Sequence, residues 1–77
     1  VKQKEKVMLY VAIAQERGGG LHTMICDSKV QALDEALELL NFLGPQNFNY
    51  VEFYKESNEG EKTLVEFWAG PYLLAGR

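Results

Sequence analysis

From Val7 to Arg17 the chain is apolar on both alternating sets, Val7, Leu9, Val11 and Ile13 against Met8, Tyr10, Ala12 and Ala14. Such a run reads as a central strand with both faces covered. Gly18-Gly19-Gly20 interrupts it as a hairpin tip, and Leu21 to Cys26 follows as a second strand. Pairing Arg17 with Leu21 around the glycines sets Ile13 opposite Ile25. The pattern then changes period. Val30, Leu33, Leu37 and Leu40, widened by Ala36, Leu39 and Leu43, form one helical stripe, with Asp34, Glu35 and Glu38 mostly on the other side. Ser28 followed by Gln31 is a capping box, and Gly44-Pro45 stops the helix. Phe48 to Glu56 and Lys62 to Ala69 then read as two strands joined by Ser57-Asn58-Glu59-Gly60-Glu61.

The order strand-strand-helix-strand-strand predicts a two-layer α+β domain, ββαββ, with a four-stranded, mainly antiparallel sheet and one helix on one face. The two-sided first strand suggests the spatial order 2-1-3-4. Residues 1–77 form a single domain, since 77 residues leave no room for a second core.

Register carries the reading to function. If Ser57 pairs with Glu61, then Phe53 meets Val65 and Val51 meets Phe67 on the face toward the helix. On the other face Tyr54 meets Leu64, Glu52 meets Glu66 and Tyr50 meets Trp68. That second face, with Tyr10 and Met8 added, has no helix to cover it, and each large aromatic offers ~150–250 Å². Tyr10, Tyr50, Glu52, Tyr54, Glu66 and Trp68 are therefore the candidate partner- or ligand-binding residues. Directly opposed Glu52 and Glu66 repel, and framed by aromatics they suit a small cationic group; strand twist with Lys62 or Lys6 nearby is the plainer account of the same pair.

Composition narrows the classes. With 47% hydrophobic and 25% charged residues the chain is an ordinary globule, and its net charge of -3 argues against nucleic acid. The exception is a basic cluster at Lys2, Lys4 and Lys6. One cysteine, Cys26, excludes an internal disulfide and fits a reducing cytoplasm. No apolar run approaches the ~20 residues of a membrane span, and the Val7–Ala14 stretch lacks the cleavage site of a secretory signal. The apolar tail, Gly70 to Arg77, is expected to pack on something.

Catalytic and metal chemistry find little support. His22, Met24 and Cys26 alternate on one strand, but at ~3.3 Å per residue His22 and Cys26 stand about 13 Å apart, too far to share a metal or to form a nucleophile pair. Glu52 and Glu66 fit the spacing of a glycosidase pair but lie on a flat face without a cleft. The glycine run lacks the Lys-Ser/Thr of a P-loop, and glutamates replace the lysines of an RNA-binding sheet. No enzyme activity, cofactor or metal is expected.

The hairpin followed by Asp27-Ser28 and Ala32-Leu33-Asp34-Glu35-Ala36-Leu37 resembles HicB-type antitoxins over less than half of the chain. Their proline-rich, cysteine-containing turn is absent, so no function or residue role is transferred. The leading expectation is a non-enzymatic protein-interaction module, a small inhibitor, adaptor or accessory subunit of bacterial or phage regulatory type, homodimeric through the aromatic sheet face. The alternative is a small-ligand-binding protein with its site on that face or between protomers. On this reading Trp68→Ala or Tyr50→Ala disrupts association and leaves the helix intact.

Overall fold

The computed structural model describes residues 8–69; the lysine cluster at residues 2–6 and the tail at 70–77 lie outside the described residues. Strands β1 (Leu9–Glu16) and β2 (Leu21–Cys26) precede helix α1 (Lys29–Leu43), a 3-10 turn at Pro45–Asn47, and strands β3 (Phe48–Glu56) and β4 (Lys62–Ala69). The sheet order is β2-β1-β3-β4 with every neighbour antiparallel, the ββαββ architecture expected from the chain's patterning.

Both hairpins close in the same way. Glu16 N–H donates to Gly20 O (2.8 Å) and Gly19 N–H to Glu16 O (2.9 Å). In the second hairpin Ser57 N–H donates to Glu61 O (2.9 Å) and Gly60 N–H to Ser57 O (2.9 Å). Each loop ends on a glycine at positive φ, Gly19 at 104° and Gly60 at 91°, the bulge position of a three-residue hairpin loop. This corrects the first register. The loop is Arg17-Gly18-Gly19, one residue earlier than the glycine run suggested, so Ile13 faces Thr23 and Ile25 faces Val11. The backbone decides this, because the positive-φ residue must stand third in the loop.

Ser28 Oγ accepts from Gln31 N–H at 3.1 Å to start α1, and Gly44 N–H donates to Leu40 O at 2.7 Å to end it. Ser28→Ala should cost about 1 kcal/mol, read as a shift in the urea midpoint at unchanged slope. The face that α1 buries is centred on Ala32, Ala36 and Leu40, flanked by Leu33, Leu37, Leu39 and Leu43, whereas Val30 is exposed. Small residues on the helix meet small Ala12 and Ala14 on β1, which brings helix and sheet close. Phe48, Val51, Phe53 and Trp68 fill the space around them. The hairpin tip is tied to the turn after α1 by Arg17, whose N–H reaches Asn47 O (2.8 Å) and whose Nε reaches Gln46 O (2.8 Å).

The second hairpin departs from the expected register halfway along. Glu56↔Lys62, Lys55↔Thr63 and Tyr54↔Leu64 pair as anticipated, but the ladder then skips Val65 and resumes as Phe53↔Glu66, Glu52↔Phe67, Val51↔Trp68 and Tyr50↔Ala69. Val65 is a β-bulge, and beyond it every side chain of β4 exchanges faces. Glu66 and Trp68 turn toward α1, while Phe67 turns away from it. The physical reason lies in the Glu52–Glu66 pair. An unbroken ladder would set these carboxylates directly opposite each other on one face. The bulge places them on opposite faces, gives Glu66 Oε1 the Lys29 ammonium at 3.5 Å, and gives Glu66 Oε2 the Trp68 Nε1–H at 3.1 Å. Trp68 is then only 4% exposed and meets Phe53 edge-on, with ring centroids 4.7 Å apart.

Candidate functional site

The sheet face opposite α1 is built row by row, since partners in an antiparallel ladder point to the same side. Ile25, Val11, Tyr54 and Leu64 form one row across the four strands. Thr23, Ile13, Glu52 and Phe67 form the next, and Leu21, Gln15, Tyr50 and Ala69 the third. Among the described residues no element of the chain packs on this face. Leu21, Ile25, Leu64 and Phe67 are between 50% and 64% exposed, and Tyr50 stacks on Phe67 with ring centroids 6.0 Å apart and planes inclined by 27°. Glu52 stands near the middle of this surface with Ile13 and Phe67 on either side.

Of the six residues singled out from the sequence, Tyr50, Glu52 and Tyr54 lie on this open face. Tyr10, Glu66 and Trp68 lie on the side toward α1. Tyr10 pairs with Cys26 and packs against the core, because the smaller Ala12 and Ala14 of the same set are the residues that α1 can approach. The Glu52–Glu66 pair therefore does not exist as a site, and the expectation that Trp68 presents itself to a partner is corrected by its burial. Phe67, Leu21 and Ile25 were not anticipated here. The signal for Phe67 was in the like-charge clash of the unbroken register, which a bulge relieves.

Partial desolvation, and after it the Glu52 carboxylate alongside, hold the Tyr54 hydroxyl above its ordinary 10.0. At neutral pH Tyr54 is thus a hydrogen-bond donor beside a carboxylate, both embedded in apolar surface. The arrangement offers adhesion, one acceptor and one donor. It offers no nucleophile with a base, and among the described residues no group of three or more His, Cys, Asp or Glu side chains is placed to hold a metal.

Cys26 and His22 share the α1 side of β2. His22 Nε2 lies 3.1 Å from Glu16 Oε2, and its ring meets Phe48 at 5.8 Å. Cys26 is buried, and burial first, then the nearby carboxylates of Glu35 and Asp27, push its thiol above the ordinary 9.0. A protonated, buried thiol is a poor nucleophile, so alkylation of Cys26 should be far slower in native protein than in urea. The same shift sets a pH dependence. Above pH 9 the unfolded chain releases a proton that the folded chain keeps, so stability is intact below that range and falls as pH rises through it. Urea midpoints between pH 8 and 10 should show the fall in the wild type, and Cys26→Ala should flatten it.

No helix among the described residues is long and apolar enough to cross a membrane. Compared with known protein families, curated proteins and solved structures, the chain finds no match.

Proposed function

We propose that the protein is a non-enzymatic interaction module that self-associates through the open sheet face. The observation carrying this reading is the contiguous apolar face of Leu21, Ile25, Ile13, Leu64, Phe67, Tyr50 and Tyr54, set around a Val11 that is itself buried and interrupted only by Glu52, Thr23 and Gln15. A soluble monomer's largest apolar patch is ~300–600 Å². Four strands spaced ~4.8 Å apart and three rows ~6.8 Å apart outline roughly 400 Å², within that range, and the next row, Leu9 with Glu56 and Lys62, borders it with a charged rim.

A second copy suits this face. In a face-to-face pair the twofold axis lies in the interface plane. With the axis across the strands, the Val11–Tyr54 row of one protomer meets the Ile13–Glu52 row of the other. Each Tyr54 hydroxyl then stands opposite the Glu52 carboxylate of the second copy, and Leu64 opposite its Phe67. Glu52, the one charge in the three rows, gains a donor, and apart from Thr23 and Gln15 the rest is apolar contact at the ~10 Å spacing of stacked sheets. A core with one helix over one sheet face is a small one, and pairing supplies the missing second layer. A reducing compartment fits the free thiol of Cys26, and a role as inhibitor, adaptor or accessory subunit fits a domain that works by contact.

Light scattering across a concentration series tests the reading directly. A mass of twice the chain's 8.7 kDa that halves on dilution is the expected result. A monomer at all concentrations sinks it.

A further inference from the structure

Among the described residues the sheet has two outer strands, β2 and β4, and they are protected differently. An unpaired edge is ordinarily blunted by a bulge, charge or proline. β4 carries the Val65 bulge and the charged Lys62 and Glu66. β2, Leu-His-Thr-Met-Ile-Cys, has no proline, no Lys, Arg, Asp or Glu, and a regular ladder to β1. The phase of that ladder follows from the Glu16–Gly20 closure. Hydrogen-bonded pairs recur at every second residue, at Ala14–His22 and Ala12–Met24, so the backbone groups of Leu21, Thr23 and Ile25 point away from β1. Among the described residues nothing pairs with this edge, which makes β2 a template for another strand.

Beside this edge, on the α1 side, lies a groove of about 470 Å³ lined by Met24, Glu35, Glu38, Leu39 and Phe42. Phe42 is 85% exposed, an unusual placement for an aromatic. Among the described residues Lys29 pairs with Glu66 and His22 shares a hydrogen bond with Glu16, leaving Glu35 and Glu38 without a cation there. An apolar floor with an aromatic wall and two carboxylates matches one class of side chain, a long aliphatic stem ending in a positive charge.

We infer that β2 and this groove together bind an extended, basic peptide segment of a partner protein, which adds to the sheet as a fifth strand. Its Lys or Arg side chains, at alternate positions, lie along Met24, Leu39 and Phe42 and end at Glu35 and Glu38. The intervening side chains fall on the opposite side, next to Leu21 and Ile25, where β-branched residues fit. Main-chain bonds to Leu21, Thr23 and Ile25 supply affinity and the groove supplies selection. The β2 strand of a second copy is a poor occupant, because edge pairing about a twofold axis brings two Glu35–Glu38 rims together with no cation between them. The site extends the reading as an interaction module to a second surface and does not depend on self-association through the open face.

The test is an NMR titration of the full chain with a capped peptide alternating lysine and valine, and with its glutamate–valine counterpart. The basic peptide should shift and protect the amides of Leu21, Thr23 and Ile25, and its affinity should fall about tenfold or more between low and high salt. Glu35→Gln combined with Glu38→Gln should weaken it about tenfold or more at unchanged solution mass. Thr23→Pro, which removes an outward N–H and no ladder bond, should block it. Phe67→Glu should leave it intact. Equal binding of the acidic peptide, absence of binding, protection confined to β4, or loss of binding in Phe67→Glu would each overturn the proposal.

Discussion

Trp68→Ala should unfold the domain at physiological temperature, or leave it with a collapsed stability, at a cost of about 3–5 kcal/mol. Trp68 lies over Val51 on the covered side of the sheet, edge-on to Phe53, and is 4% exposed. Its removal opens a cavity beside Val51 and Phe53, both themselves buried. It also deprives Glu66 of the indole N–H. A single-domain protein has ~5–15 kcal/mol in total, and a chain this short belongs at the lower end, so the loss consumes most of it. Circular dichroism and urea titration measure the effect. Retention of native helix signal and an unchanged urea midpoint would contradict the bulged register, because they would mean that Trp68 lies outside the core. Trp68→Phe, which keeps most of the volume, should recover much of the loss.

Phe67→Glu, one residue earlier, should do the reverse. Phe67 is half exposed on the open face, opposite Glu52 and stacked on Tyr50. A second carboxylate there lies directly across from Glu52, which costs a few tenths of a kcal/mol in the monomer. In a stacked dimer it buries two further unpaired charges, one from each protomer. Truncation or loss of pairing at a buried charge costs ~2–5 kcal/mol, so dissociation should strengthen about a hundredfold or more. Sedimentation or light scattering reads this as a monomer at concentrations where the wild type is paired, with the helix signal unchanged. A variant that still pairs would remove the open face from the account and leave the β2 edge as the surface to pursue. Adjacent aromatics with opposite consequences, one for folding and one for assembly, are the strongest signature of the bulge.

Much of the architecture was legible along the chain because the signals are local. Short apolar and aromatic runs bounded by turn residues marked β2, β3 and β4, a 3.6-residue stripe after Ser28 marked α1, and Gly44-Pro45 marked its end. The two-sided apolarity of Val7 to Arg17 implied a central β1, which in turn implied the order β2-β1-β3-β4. The second loop, Asn58-Glu59-Gly60, was readable from its one glycine. The first was ambiguous, because three consecutive glycines allow the closing pair to slide.

The face assignments were not legible in the same way. Val65-Glu66-Phe67-Trp68 breaks strict alternation by setting two aromatics side by side, and either can point inward. β1 offers the same ambiguity, with Tyr10, Ala12 and Ala14 on one set and Leu9, Val11 and Ile13 on the other. The uncovered apolar face itself was anticipated, and Tyr50, Glu52 and Tyr54 were placed on it correctly. Its other members follow from decisions made elsewhere in the molecule.

The elements, their order and the existence of one unpartnered face follow from local signals, because periodicity, caps and turn residues act within a few positions. Which residues populate that face was settled by packing across the fold. The close approach of α1 selected Ala12 and Ala14 on β1, leaving Val11 and Ile13 to the open side. Repulsion between Glu52 and Glu66, partners far apart in the chain, was relieved by a one-residue bulge that turned Trp68 inward and Phe67 outward. Volume under the helix and charge across the ladder are sums over neighbours brought together by folding, and no window of sequence contains them.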